Sequence, residues 1–433
     1  MNPFPDLPAI PLPPGIRSRY VDDINGLRMH VLEAGYEKPS HAMNSTSPLE
    51  GEAGAAQQRR EGVKPQAPVS AATPLPGPPP QGGREQKRPC VLLLHGFPEL
   101  AYSWRKVMPQ LTAAGYHVIA PDQRGYGRTT GWDADYDGDL GSFRLLNLVR
   151  DALGLVSAFS YRSVDAVVGH DFGSSVAAWC ALVRPDVFRS VVLMSAPFAG
   201  PPPLPFNTAD GSPKPRFNDP VHRDLASLPR PRKHYQWYYS TREANADMHT
   251  APQGVHDFLR AYYHHKSADW KDNQPYPLQS WTAGELAKLP TYYIMDLAKD
   301  MAETVAEEMP SASLIAENKW LPDSELGFYS AEYARTGFQG GLQWYRCGTS
   351  GAFAAELETF SGRSIDVPSC FISGKQDWGT YQRPGVFETM QTKACTRMLG
   401  AHLIDGAGHW VQQEQPEEVA RLLLEFLKQA GVR

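Results

Sequence analysis

The run Gly169-His170-Asp171-Phe172-Gly173-Ser174 puts an acidic residue where a sharp strand-to-helix turn presents its nucleophile. An ionised carboxylate at such a turn attacks a saturated carbon without a base to strip its proton, and it leaves an ester that water must then cleave. Upstream, residues 164–168 read as a short buried strand; downstream, 175–183 are small and apolar, as in a packed helix. Small residues on both sides of Asp171 let the backbone bend that tightly. The plainer reading of the same six residues is an ordinary aspartate capping a helix.

Two more groups stand just beyond strand-like segments, Asp377 after residues 370–373 and His409 after 403–404. Their chain order is nucleophile, acid, base. In an open parallel sheet, sites gather at the carboxyl ends of the strands, so loops remote in sequence converge there. With Asp171 as nucleophile, His409 is the base that deprotonates water, and Asp377 orients and stabilises the imidazolium. Ester hydrolysis builds negative charge on the carboxyl of Asp171 itself, which calls for two backbone N–H donors. Phe97 and Phe172 are the candidates, one in each loop. In His95-Gly96-Phe97-Pro98, Gly96 permits close approach and Pro98 stiffens the bend, whereas His95 reads as a structural hydrogen-bonding residue. Taken singly, a loop Asp or His is usually structural; the three together carry the chemistry.

The elements that must position these groups alternate. Residues 17–20 and 27–32 form a hairpin across Asn25-Gly26, and the series continues with strand 91–94, helix 104–114, strand 117–120 and helix 143–159. In that last helix Leu145, Leu148, Val149, Ala152, Val156 and Phe159 make one apolar face. Strands at 191–195, 370–373 and 403–404 and a final helix at 416–429 complete the pattern. The fold class is α/β, a mostly parallel doubly wound sheet covered on both faces. Residues 199–361 break the rhythm: after a Pro-rich start they are helical and dense in Trp and Tyr, as expected of a helical lid inserted between two core strands. Residues 37–88 are Pro, Gly, Ala, Gln, Ser and charge, a composition that cannot offset its ordering entropy and reads as a disordered insertion. The organisation is therefore 1–36 (hairpin of the core), 37–88 (insertion), 89–198 (core), 199–361 (lid) and 362–433 (core).

The segments His95-Gly96-Phe97-Pro98, Ser103-Trp104-Arg105, Asp122-Gln123-Arg124-Gly125-Tyr126-Gly127, the turn bearing Asp171, residues 185–197, residues 374–377 and Gly406-Ala407-Gly408-His409-Trp410 together resemble the epoxide hydrolases of the α/β-hydrolase fold. The resemblance covers most of the chain outside 37–88. It implies an epoxide opened to a vicinal diol through an ester of Asp171, with two lid tyrosines holding the epoxide oxygen. One resembles Tyr345, in Gly340-Gly341-Leu342-Gln343-Trp344-Tyr345-Arg346; the other resembles Tyr235, although Tyr238 and Tyr239 lie close enough to leave that choice open. A phenol is a weak acid suited to protonating the alkoxide that forms. Pro98 and Trp104 are expected to line the substrate pocket. Two departures stand out: Phe172 replaces the Trp often found beside the nucleophile, and Ser174 stands where Gly is frequent.

Dehalogenation begins with the same carboxylate attack. The haloalkane dehalogenases, however, resemble one another in a Trp after the nucleophile and the fluoroacetate dehalogenases in an Arg, and here that residue is Phe172. A silent ligand-binding protein on the same fold is the other rival. A net charge of −5 gives no footprint for nucleic acid, and no segment is long and apolar enough to span a bilayer. Five cysteines without CxxC spacing point to a reducing compartment, and with no secretory signal at the start the expected location is cytoplasmic. Water is the second reactant, and neither a metal nor an organic cofactor is implied. The partner expected is a small apolar epoxide.

Overall fold

In the computed structural model, residues 7–36, 87–204 and 219–431 are described. The stretch read as a disordered insertion, all but its last two residues, therefore lies outside the described residues, as do residues 205–218 near the start of the expected lid. Eight strands form one sheet: β1 (Ile16–Ile24), β2 (Leu27–Ala34), β3 (Cys90–Leu94), β4 (His117–Pro121), β5 (Ala166–His170), β6 (Val191–Met194), β9 (Ser369–Gly374) and β10 (Met398–Ile404), in the order β1-β2-β4-β3-β5-β6-β9-β10. The first two pairings are antiparallel and the rest parallel. The hairpin turns on Asn25 and Gly26, both at positive φ, as the twist of a two-residue connection requires.

Along β3 the side chains alternate between two cores. Leu92 and Leu94 face the one built with α2 (Leu145–Ala158) and α3 (Phe172–Val183), while Val91 and Leu93 face the one built with α1 (Met108–Ala113) and the last helix, Pro416–Ala430. Both faces are covered, which explains the unbroken apolar run of the central strands. Among the described residues no helix is long and apolar enough to cross a membrane.

Three elements differ from the expectation. The helix expected over 104–114 is a tight 3-10 turn, Ala101–Trp104, followed by α1, because Pro109 has no N–H to donate and fits only a first helical turn. Strand β10 runs seven residues rather than two; it is an edge strand with half-exposed side chains and so lacks an apolar run. Between β6 and β9 the chain is mainly helical, yet it also contains an antiparallel ribbon, β7 (Arg232–His234) with β8 (Ile294–Asp296), too short for any period-two signal. Helices Tyr235–Tyr238, Gly254–Lys266 and Gln339–Ser350 in this insertion carry the aromatic-rich stretches.

Candidate active site

Strand β5 ends at His170 and α3 begins at Phe172, so Asp171 alone makes the turn, with φ 54° and ψ −120°. A non-glycine residue held there costs on the order of 1–3 kcal/mol and persists only where its surroundings impose it. They do: a Cβ on Gly173 would lie 2.4 Å from the His95 carbonyl oxygen and 2.5 Å from that of Leu94, so only glycine lets α3 pack this close to the end of β3. Asp171 occupies the N-cap position, but its carboxylate caps nothing. Instead Oδ1 accepts the backbone N–H of Phe97 at 3.0 Å, and Oδ2 lies 3.3 Å from Nε2 of His409. That disposes of the helix-capping reading of the hexapeptide.

His409 is 1% exposed, and its Nε2 has no hydrogen-bond partner among the described residues. On the other side of the ring Nδ1 lies 3.1 Å from Oδ1 of Asp377. The acid is itself fixed, accepting N–H of Gly379 at 2.7 Å and the hydroxyl of Ser373 at 3.1 Å. Burial alone would raise both carboxyls. For Asp377, the charge and hydrogen bond of His409 and the Gly379 N–H hold it below the ordinary value. For Asp171, His409, Lys266 and His170 hold it well below, so the carboxylate is ionised. Phe172 follows the nucleophile directly as the first residue of α3, so its backbone N–H belongs to the N-terminal turn of that helix.

From the insertion, Tyr345 and Tyr235 approach each other with ring centroids 5.9 Å apart. Tyr345 also packs on Phe97 at 5.6 Å and on Phe172 at 5.3 Å, the two residues whose backbones flank the nucleophile. Its helix is docked by a backbone contact: a Cβ on Gly340 would lie 2.0 Å from the Gly125 carbonyl oxygen, and Trp344 Nε1 donates to the Arg124 carbonyl at 3.0 Å. Burial, and next the charge of Asp171, push both phenols well above their ordinary value, so they remain proton donors. Of the neighbours of Tyr235, Tyr238 donates to Asp247 at 2.8 Å and Tyr239 to the Tyr262 hydroxyl at 3.0 Å. Among the described residues the hydroxyl of Tyr235 donates to Gln382 at 3.4 Å and accepts from the Gln236 amide at 3.2 Å.

The structure thus brings Asp171, Asp377, His409, Tyr235, Tyr345, Phe97 and Phe172 together. Pro98 lies in the same loop, its carbonyl accepting the hydroxyl of Tyr263 at 2.9 Å. Trp104 is a correction: it is fully buried in the core on the opposite face of the sheet, with Ala101, Val107 and Met108, because the 3-10 turn directs it inward. His95 is structural, Nδ1 lying 2.9 Å from its neighbour's carbonyl and Nε2 accepting Gln123 N–H at 3.1 Å.

Sequence reasoning missed the groups that hold the base loop. Glu99 and His170 form a fully buried pair at 2.5 Å, and His170 Nε2 reaches the His409 carbonyl at 2.7 Å. Burial opposes both charges, but each partner's charge overrides it, lowering Glu99 and raising His170. Glu414 accepts N–H groups of Gly408, Trp410 and Ala268 at 2.8–2.9 Å. The available signal was adjacency, Glu99 following Pro98 and His170 preceding Asp171.

A family model of the alpha/beta hydrolase fold matches residues 89–416. Epoxide hydrolase B of Mycobacterium tuberculosis is 32% identical over 359 residues, covering 79% of this chain and 92% of that protein. An epoxide hydrolase of Caballeronia sordidicola is 28% identical over 340 residues, covering 78% of this chain and 88% of its own. Among solved structures, an epoxide hydrolase from an endophytic Streptomyces superposes with a TM-score of 0.67 at 27% identity, over 96% of each chain.

Proposed function

The chain belongs to the epoxide hydrolases of the α/β-hydrolase fold, and from that premise we propose that Asp171 opens the epoxide and His409 releases the product. The observation carrying this reading is that one ionised carboxylate faces an N–H donor at 3.0 Å, an imidazole at 3.3 Å and two protonated tyrosines of the insertion. In the first step an oxygen of Asp171 bonds to an epoxide carbon, the carbon–oxygen bond of the ring breaks, and Tyr345 or Tyr235 gives its proton to the leaving alkoxide. In the second, Nε2 of His409 takes a proton from water, whose oxygen attacks the carboxyl carbon of the ester. The N–H groups of Phe97 and Phe172 hold the oxyanion, and Asp377 stabilises the imidazolium. Collapse frees the diol and restores Asp171, and the proton on His409 re-forms the tyrosine by way of solvent.

Rings of Phe97, Phe172, Tyr239 and Tyr345 surround the reacting groups, which supports an epoxide with an apolar body. All five cysteines are free, which supports a reducing, cytoplasmic setting. Oxygen tracing tests the mechanism. With enzyme in excess in heavy-oxygen water, one turnover leaves the label in Asp171 and an unlabelled diol, because the diol oxygen comes from the carboxylate; repeated turnovers label the diol. Labelled diol with unlabelled Asp171 after one turnover means direct attack by water and overturns the reading. Measuring halide release from haloalkanes alongside diol formation separates this activity from dehalogenation.

A further inference from the structure

A single turn of helix, Val411–Glu414, follows the base loop and folds its last residue back over it. The Glu414 carboxyl group thereby meets the peptide groups on both sides of His409. Its Oε2 accepts the N–H of Gly408 at 2.9 Å, and its Oε1 accepts that of Trp410 at 2.9 Å. Oε2 also accepts the N–H of Ala268 at 2.8 Å, two residues beyond the end of helix Gly254–Lys266 in the insertion. Among the described residues, the Glu414 side chain accepts from backbone N–H groups only.

The same two segments are joined along their length. His409 donates its own N–H to the Lys266 carbonyl at 2.9 Å, and Trp410 donates from Nε1 to the Tyr263 carbonyl at 2.8 Å. A Cβ on Gly408 would lie 2.5 Å from the Ser267 carbonyl carbon, 2.6 Å from the Ala268 nitrogen and 2.7 Å from the Lys266 carbonyl oxygen. No side-chain carbon fits in that space, so Gly408 is what lets the insertion touch the base loop. On the core side, the His409 carbonyl accepts from His170 at 2.7 Å and from Ser195 at 3.2 Å. The core thus grips His409 by its carbonyl and the insertion grips it by its N–H, while Glu414 accepts from both flanking peptide groups.

We infer that Glu414 is a positioning residue for the second step of the reaction proposed above: its carboxyl group clamps the peptide groups on both sides of His409 to the end of helix Gly254–Lys266, so that the base is held for ester hydrolysis by the helical insertion as well as by the core. The inference rests on Asp171 forming the ester and His409 activating water. Ring opening needs the Asp171 carboxylate and a tyrosine proton, whereas hydrolysis needs Nε2 of His409 within reach of a water that faces the ester carbon. Loss of the clamp therefore falls on one step. A carboxylate accepts at both oxygens, but an amide carries an NH2 in place of one of them. In Glu414→Gln, whichever way the amide turns, one N–H beside His409 faces another donor and the loop must move off.

The test separates the two steps by rapid quench with an aryl epoxide that the parent enzyme converts, styrene oxide being the first choice. Intact mass detects the alkyl-enzyme, and near-ultraviolet circular dichroism checks folding. Burial lifts the Glu414 carboxyl to about 8 although its three N–H donors pull the other way, so the rates are taken at about pH 9, where it is ionised. In Glu414→Gln, alkylation is expected to stay within about threefold of the parent while hydrolysis falls by about tenfold to a hundredfold, the larger figure being the cost of a 1 Å misplacement. Alkyl-enzyme then builds up. Should Glu414→Gln not fold, Glu414→Asp gives the same split, since it keeps the charge but is one methylene too short to reach all three N–H groups. A double-mutant cycle with His409→Gln completes the test: once the base is gone, removing its clamp is expected to cost no more than about twofold in the residual hydrolysis. Unchanged hydrolysis in a folded variant, equal slowing of both steps, or the full loss repeated in the His409→Gln background overturns the inference, and a merely structural glutamate gives the last two. If the parent converts the epoxide with no adduct on Asp171, the nucleophile assignment itself fails; an adduct with unmoved hydrolysis overturns only the role of Glu414.

Discussion

Replacing Gly96 by alanine puts one methyl group into the space of the nucleophile. The added Cβ would lie 2.4 Å from Cβ of Asp171, 2.5 Å from Oδ1 and 2.8 Å from Cγ. Carbon–carbon contact begins at about 3.5 Å, so the two loops must part by about 1 Å. Asp171 has little freedom to turn aside, because its backbone is fixed between β5 and α3. The 3.0 Å bond from the Phe97 N–H to Oδ1 then opens beyond hydrogen-bond reach. Loss of one oxyanion donor costs about a hundredfold to a thousandfold in kcat, and a 1 Å misplacement of a reacting group by itself about a hundredfold. Overpacking adds about 1–3 kcal/mol of destabilisation, which a domain this size withstands. Hydrolysis should suffer more than alkylation, since the Phe97 N–H faces the oxygen that becomes the oxyanion. In rapid-quench experiments Gly96→Ala is therefore expected to accumulate alkyl-enzyme and to lose at least about a hundredfold in kcat. A folded Gly96→Ala enzyme with kcat within about threefold of the parent would refute the claim that this contact sets the nucleophile.

His409→Gln removes the base but leaves Asp171 ionisable, so one equivalent of epoxide is expected to stay attached, seen as a mass increase on the peptide containing Asp171; steady turnover by this variant would contradict the base assignment. Tyr345→Phe deletes one of two proton donors, and ring opening should slow by about a hundredfold while hydrolysis of the ester is little changed, as single-turnover rates would reveal. Asp122, 2% exposed, accepts from His30 at 2.7 Å, Ala101 N–H at 2.9 Å and Arg128 N–H at 3.0 Å. Burial would raise its carboxyl, but the charges of His30 and His95 and the Arg128 N–H bring it down to about 2. Because the folded value is depressed, this contribution of about 2 kcal/mol is complete above the unfolded value near 4 and is lost as pH falls through about 2. Urea titrations should accordingly show Asp122→Asn less stable than the parent at neutral pH, with the gap closing in acid; a gap indifferent to pH would count against it.

The alternation of strands and helices was legible because each central strand is apolar throughout and each flanking helix carries a one-sided apolar face, patterns that depend on local sequence alone. The same holds for the order Asp171, Asp377, His409, where each group follows a strand. Edges and irregular pieces were not legible. Strand β10 is half-exposed along its length, the β7–β8 ribbon has three residues on each side, and Pro109 divides an apolar stretch into a turn and a short helix. Trp104 shows the limit within the site: its motif placed it in sequence beside the loop at Phe97, but the direction of one turn sent it to the other face of the sheet.

By itself, then, the sequence determined which residue types stand at the strand ends, and so that a carboxylate rather than a hydroxyl is offered to substrate. Only the tertiary structure decided that the Tyr238 and Tyr239 hydroxyls bond to Asp247 and Tyr262, that Tyr235 and Tyr345 meet in the insertion, and that Glu99 is tied to His170. Those outcomes depend on distances between side chains far apart in the chain and on how much water they lose. No local pattern encodes either quantity, because each is the sum of contacts made only when the sheet and the helical insertion have closed around the same few residues.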